Sequence, residues 1–191
     1  MKNIAIFASG SGTNAQNIAE YFNASDKVRI SLIMSNKADA FVLERAKKLC
    51  IPSMVFNRKD FYETDFILDA MHKNEIDFIV LAGFLWLIPD NLLKAFPHRI
   101  INIHPALLPK YGGKGMYGER VHQAVIQSGD TRTGISIHYV NDHYDEGEII
   151  FQDSFEIQPG DTAESIAQKV HALEYKHFPR VIEEVILKVD S

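Results

Sequence analysis

The chain has a single cysteine, Cys50, and a single tryptophan, Trp86. One cysteine excludes an intrachain disulfide, so this is not a disulfide-stapled scaffold, and a reducing compartment suits it. Cys50 ends a helical pattern just before Ile51-Pro52 and reads as a packed structural thiol rather than a nucleophile. No apolar run approaches the roughly 18 residues of a membrane span. The opening MKNIAIFAS meets glycine too soon for a secretory signal. Positive charge is scarce, and a net charge of -5 leaves no basic footprint for nucleic acid. The expectation is a cytoplasmic protein with no nucleic-acid partner and no membrane attachment. GxSxG, HExxH and paired CxxC patterns are all missing, which removes the serine-hydrolase and zinc-enzyme templates.

What is present reads as ordinary globular chain, 191 residues with 46% apolar and 24% charged content. One domain over residues 1–191 is expected. Strands are read at Asn3 to Ala8, Val28 to Met34, Ser53 to Phe56 and Asp77 to Ala82. Helical patterns alternate with them, from about Ala15 to Phe22, Asp39 to Leu49 and Lys59 to Lys73. That alternation predicts a mostly parallel sheet with helices on both faces. Pro89 opens a short helix at its favoured first position, and another runs from about Arg120 to Gln127. Gly134 to Val140 and Ile149 to Ile157 alternate as strands without a helix between them, so they are expected to pair antiparallel. Asp161 with Glu164 resembles a capping box for a final helix to about Lys188, with Pro179 a candidate break.

The stretch RIINIHPALLP, Arg99 to Pro109, is the first with evident chemistry. Asn102 and His104 are two residues apart in a β-branched run, so both side chains emerge on one strand face. Pro105 ends the strand and keeps His104 extended. Strand ends are where open α/β sheets bind ligands. An amide and an imidazole together can donate to an oxyanion and move a proton, as acyl transfer requires. A satisfied core pair is the bland alternative.

Ser9 to Asn14 is a glycine loop between strand and helix, and Gly10, Gly12 and Ala15 fit GxGxxA. A helix N-terminus there offers free N–H groups to phosphate. Ser35-Asn36 stands where a dinucleotide site wants an acid, so a mononucleotide or sugar phosphate fits better than NAD. The turn Asn141 to Glu148 holds Asp142, Asp145, Glu146 and Glu148, any of which could raise the pKa of His104 if brought close. His171 and Glu174 lie one helical turn apart, more a polar helix face than a metal pair. The glycine-rich segment Leu107 to Glu119 reads as a mobile loop, a candidate lid.

With these residues in view, the chain resembles the phosphoribosylglycinamide formyltransferases of purine synthesis. The resemblance rests on FASGSGTN near the start, SNKADAFVLERA at 35–46, VLAGF at 80–84, NIHPALLPKY at 102–111, the Asp145 turn and HALE at 171–174. It implies a Rossmann-like sheet with antiparallel strands at the C-terminal end. It further implies that Asn102, His104 and Asp145 are catalytic, Asp145 keeping His104 protonated. By the same resemblance Gly12, Thr13 and Asn14 hold the phosphate of glycinamide ribonucleotide. His171, Ala172, Leu173 and Glu174 contact the rest of that substrate. Leu85, Trp86, Leu87, Ile88 and Asn102, with Asn141, Asp142, His143, Tyr144 and Asp145, line the folate site.

The implied cosubstrate is 10-formyl-tetrahydrofolate, the implied partners are these two small molecules, and no metal is needed. Oligomeric state is not indicated. Two features depart from the pattern: Trp86 where relatives commonly carry arginine, and a longer loop, GGKGMYGERVH. Lys59 is a candidate for an arginine that contacts folate in some relatives. A formylfolate hydrolase, a formyltransferase for methionyl-tRNA or a sugar nucleotide, and an NAD-binding module are the competing readings.

Overall fold

The structure is a computed structural model that describes residues 1–188. Its centre is a seven-stranded sheet of strands β1 (Lys2–Phe7), β2 (Val28–Ser35), β3 (Ser53–Val55), β4 (Phe78–Leu81), β5 (Ile100–His104), β6 (Arg132–Tyr139) and β7 (Ile149–Glu156). The spatial order is β3-β2-β1-β4-β5-β6-β7. β1 to β5 pair parallel, as the alternation predicted, and β7 runs antiparallel to β6, as the missing helix between them predicted; β6 joins β5 antiparallel although α6 lies between the two.

Strand parity divides the core. Ile4, Ile6, Phe78, Val80, Ile101 and Ile103 face one layer, formed by α1 (Thr13–Tyr21), α2 (Phe41–Lys48), α6 (Glu119–Ser128) and α7 (Ala163–Lys188). Ala5, Phe7, Ile79, Leu81 and Ile100 face the other, formed by α3 (Arg58–Tyr62), α4 (Phe66–Lys73) and α5 (Asp90–Ala95). Alternate residues therefore bury on opposite faces, the reason these strands read as unbroken apolar runs. The order reverses between β1 and β4, and their carboxyl ends open the crevice expected of such a switch point.

Five local expectations are corrected. The helix expected over Lys59 to Lys73 is two helices, α3 and α4. Asn57 and Asp60 form a reciprocal capping box on α3, and the Thr64 hydroxyl binds the Asp60 carbonyl and the Phe66 N–H, diverting the backbone between the helices. The last helix is capped by Thr162 and Ser165, which exchange hydrogen bonds at 2.9 and 3.2 Å, while Asp161 binds Lys169 instead of pairing with Glu164. α7 is unbroken at Pro179. Proline frees the carbonyl four residues earlier, and Asn17 Nδ2 donates to that Tyr175 carbonyl at 3.1 Å. Pro89 caps α5 from the position before its first residue. Cys50 is exposed rather than packed, because the chain leaves α2 through a left-handed φ of 56° there.

Among the described residues no helix is long and apolar enough to cross a membrane.

Candidate active site

A cleft of about 710 Å³ opens at the carboxyl ends of β1, β4 and β5. That volume is within the range of small-molecule sites. The glycine loop forms one wall. Gly12 has φ 73°, and a Cβ there would lie 2.4 Å from Val42, so only glycine permits this approach of loop to α2. α1 then starts at Thr13 with no side-chain cap, leaving its first-turn N–H groups for a ligand. Ser9 pins the loop, its hydroxyl donating to Asn36 Oδ1 at 2.7 Å and accepting from the Leu85 N–H at 3.1 Å. Asn36, at the position where a dinucleotide site wants an acid, is thereby occupied.

At the other end stand Asn102 and His104, on one face of β5 as parity required. His104 is 3% exposed. Its Nε2 donates to the Tyr111 carbonyl at 2.7 Å, and its Nδ1 lies 3.5 Å from Asp145 Oδ2. Of the acids in the turn, the fold brings Asp145 alone into the cleft lining. Gly147 makes this possible: a Cβ there would sit 1.7 Å from the Tyr139 carbonyl, so the turn can fold back on β6 only without a side chain. Tyr111 and Asp145 both have left-handed backbone, φ 57° and 58°, so both residues holding His104 are strained into place. Buried Ser136 steadies the segment after His104, donating to the Ala106 carbonyl and accepting from the Leu108 N–H.

Electrostatics correct one expectation. Burial pushes the His104 pKa below its usual value, and Asp145 and the Tyr111 carbonyl only partly oppose this. At His104 Asp145 thus works against burial, and burial is the larger effect. The Asp145 carboxyl lies below the ordinary range; burial opposes this, and His138, His104 and the Gly113 N–H outweigh it. That N–H donates to Asp145 Oδ2 at 3.0 Å, tying the glycine-rich loop to the site. His138 is a residue that the sequence did not single out. It lies opposite Asn102 in the β5–β6 register, with Nε2 3.1 Å from Asn102 Nδ2 and 3.6 Å from Asp145. Its signal was available, since an antiparallel strand beside β5 puts one residue of each pair across from Asn102.

Asn14, His171 and Glu174 close the glycine-loop end. Asn14 Nδ2 donates to Glu174 Oε2 at 2.9 Å. Glu174 is 5% exposed, and burial pushes its pKa up to about 7 against the Asn14 hydrogen bond. Not every expected residue reaches the cleft. His171 and Glu174 line it, but Ala172 and Leu173, on the other faces of α7, do not. Leu85, Trp86, Tyr144 and Asp145 line it, whereas Leu87, Ile88, Asn141, Asp142 and His143 do not. Ile88 is buried in the core layer beneath, and Asp142 and His143 pair with each other at 2.9 Å on the surface. Lys59 is exposed and off the cleft. Trp86 packs among Phe56, Phe61, Tyr62 and Phe84, with the Arg58 guanidinium 5.8 Å from its ring. The cations Lys37, Lys114 and Arg120 line the cleft and were not singled out from sequence.

Residues 2–182 match the formyl transferase family model. The chain belongs to the formyl transferase family. It is 41% identical over 187 residues to a phosphoribosylglycinamide formyltransferase of Arabidopsis thaliana, named as chloroplastic, covering 95% of this chain and 64% of that one. The chain thus spans somewhat under two thirds of that relative's length. It is 39% identical to the Haemophilus influenzae phosphoribosylglycinamide formyltransferase, covering 96% of this chain and 86% of the other. The crystal structure of the enzyme of that name from Bacillus halodurans superposes with a TM-score of 0.87 at 34% identity, covering 98% and 97% of the two chains.

Proposed function

We propose that the protein transfers the formyl group of 10-formyl-tetrahydrofolate to the amine of glycinamide ribonucleotide, giving formylglycinamide ribonucleotide and tetrahydrofolate for purine synthesis. One observation carries this reading. An amide, an imidazole and a carboxylate from separate segments converge at one end of a cleft whose other end is an uncapped helix N-terminus beside Glu174. A phosphate at Thr13 and Asn14 and a ribose at Glu174 would leave the substrate amine facing His104. The N-terminal half thus holds ribonucleotide phosphate, and the C-terminal half holds folate and the reacting atoms.

Asn102 Nδ2 donates to the oxygen of the tetrahedral intermediate, a contribution of about 3 kcal/mol for one well-placed donor. His104 starts neutral, with Nε2–H on the Tyr111 carbonyl, so Nδ1 is the atom free to take the proton lost by the attacking amine. Asp145 stabilises the imidazolium that forms. His104 then gives the proton to nitrogen 10 of the folate as its bond to the formyl carbon breaks. Holding both substrates in near-attack geometry contributes much of the remainder. The cytoplasm is the proposed location, where the exposed Cys50 stays a thiol; cell fractionation tests it.

The deciding experiment follows tetrahydrofolate formation by absorbance with and without glycinamide ribonucleotide. Formation only with the amine present supports the transferase. Formation without it identifies a hydrolase and overturns the proposal.

A further inference from the structure

His122 lines the same cleft and has no part in the chemistry above. It lies on the buried side of α6 with Val121 and Val125, and only 3% of its surface is exposed. Its Nδ1 is buried with no hydrogen-bond partner. A native site that leaves such a nitrogen unpaired calls for an explanation.

Position supplies one. His104, His122 and His171 line the same cleft, and the charges of His171, Glu119 and His104 all reach His122. Burial and those two imidazoles push its pKa down to about 4. At neutral pH the ring therefore carries one N–H donor and one acceptor nitrogen. A secondary amide can pair with either nitrogen, its N–H meeting the acceptor or its carbonyl the donor. Glycinamide ribonucleotide has such an amide between its ribose and its amine.

We propose that His122 binds the amide of the glycinamide arm and so aims the amine at the formyl carbon. This rests on the functional reading above. The ring has no hydrogen-bond partner in the free protein because the substrate supplies one, met at the edge of the ring that faces the cleft.

The test is titration calorimetry with two probes, glycinamide ribonucleotide and ribose 5-phosphate, which lacks the arm. His122→Leu should lose about tenfold in affinity for the ribonucleotide, the worth of one such hydrogen bond. It should bind ribose 5-phosphate as the wild type does, and melt no lower, because an unpaired buried nitrogen is gone. His122→Gln, which keeps a donor and an acceptor, should stay within about threefold of wild type for both probes. Should leucine fail to pack, His122→Phe keeps the ring shape while removing both nitrogens. Unchanged ribonucleotide affinity in the apolar variant, or equal losses for both probes, overturns the assignment. A wild-type protein that binds neither probe overturns the functional reading itself.

Discussion

His104 is where the competing effects at this site are most easily separated. Burial lowers its pKa and Asp145 at 3.5 Å raises it, and burial is the larger effect. The working form is then the neutral ring, and kcat should hold or rise from about pH 6.5 to 8 and fall only on the acid side. A decline on crossing 6.5 upward would show that the imidazolium does the work. Glu174 moves the opposite way, raised from 4.5 to about 7. A raised folded-state pKa stabilises below the unfolded value and loses that contribution as pH rises through the folded one. Glu174→Gln removes the penalty of ionising a buried carboxyl, so at pH 8 the free protein should gain up to about 3 kcal/mol, each tenfold change in proton affinity being worth about 1.4 kcal/mol. The same variant should raise KM for the ribonucleotide, which loses a charged partner. Chemical denaturation at pH 5 and 8 with steady-state kinetics separates the two effects.

Among the elements, the seam between α1 and α7 closes the glycine-loop end of the cleft. Asn14, Asn17 and Tyr21, at helical spacing, meet Glu174, the Tyr175 carbonyl and Glu183. The middle contact exists because Pro179 has no N–H to offer Tyr175. Asn17→Ala should cost roughly 0.5–1 kcal/mol, the net worth of one hydrogen bond. In a Pro179→Ala background, where the helix can satisfy its own carbonyl, that cost should largely vanish; a double-mutant cycle reads the coupling. Gly12→Ala combines a left-handed φ with a Cβ 2.4 Å from Val42, so it should cost at least about 1–3 kcal/mol and weaken ribonucleotide binding as well. Urea melts and calorimetry check both parts.

For the molecule as a whole, three imidazoles around one cleft, His104, His122 and His171, have pKa values lowered chiefly by burial. Lowered values stabilise above the unfolded pKa of about 6.5 and lose that contribution as pH falls. Circular dichroism should therefore show acid unfolding that begins below 6.5, with Glu174 opposing it between 4.5 and about 7. His122→Leu should move the acid midpoint lower. Ligand binding acts at this scale too. Glycinamide ribonucleotide at a hundred times its Kd should add about 2.7 kcal/mol and raise Tm, whereas NAD should not.

Residue order by itself determined the sheet's composition, the parity that pairs Asn102 with His104, and the glycine loop before α1, because each depends on local spacing and backbone freedom. The break in α3–α4, decided by Thr64, and the continuity of α7 at Pro179, rescued by Asn17, were not legible; both turn on a single side chain reaching a particular carbonyl. Only the tertiary structure brought Asp145 to His104, since the turn folds back through Gly147, and only it placed His138 and His122 beside them. It also set the direction in which the His104 pKa moves. A sequence can show that a carboxylate is within reach, but burial is a property of everything packed around the ring, and here burial outweighs the carboxylate.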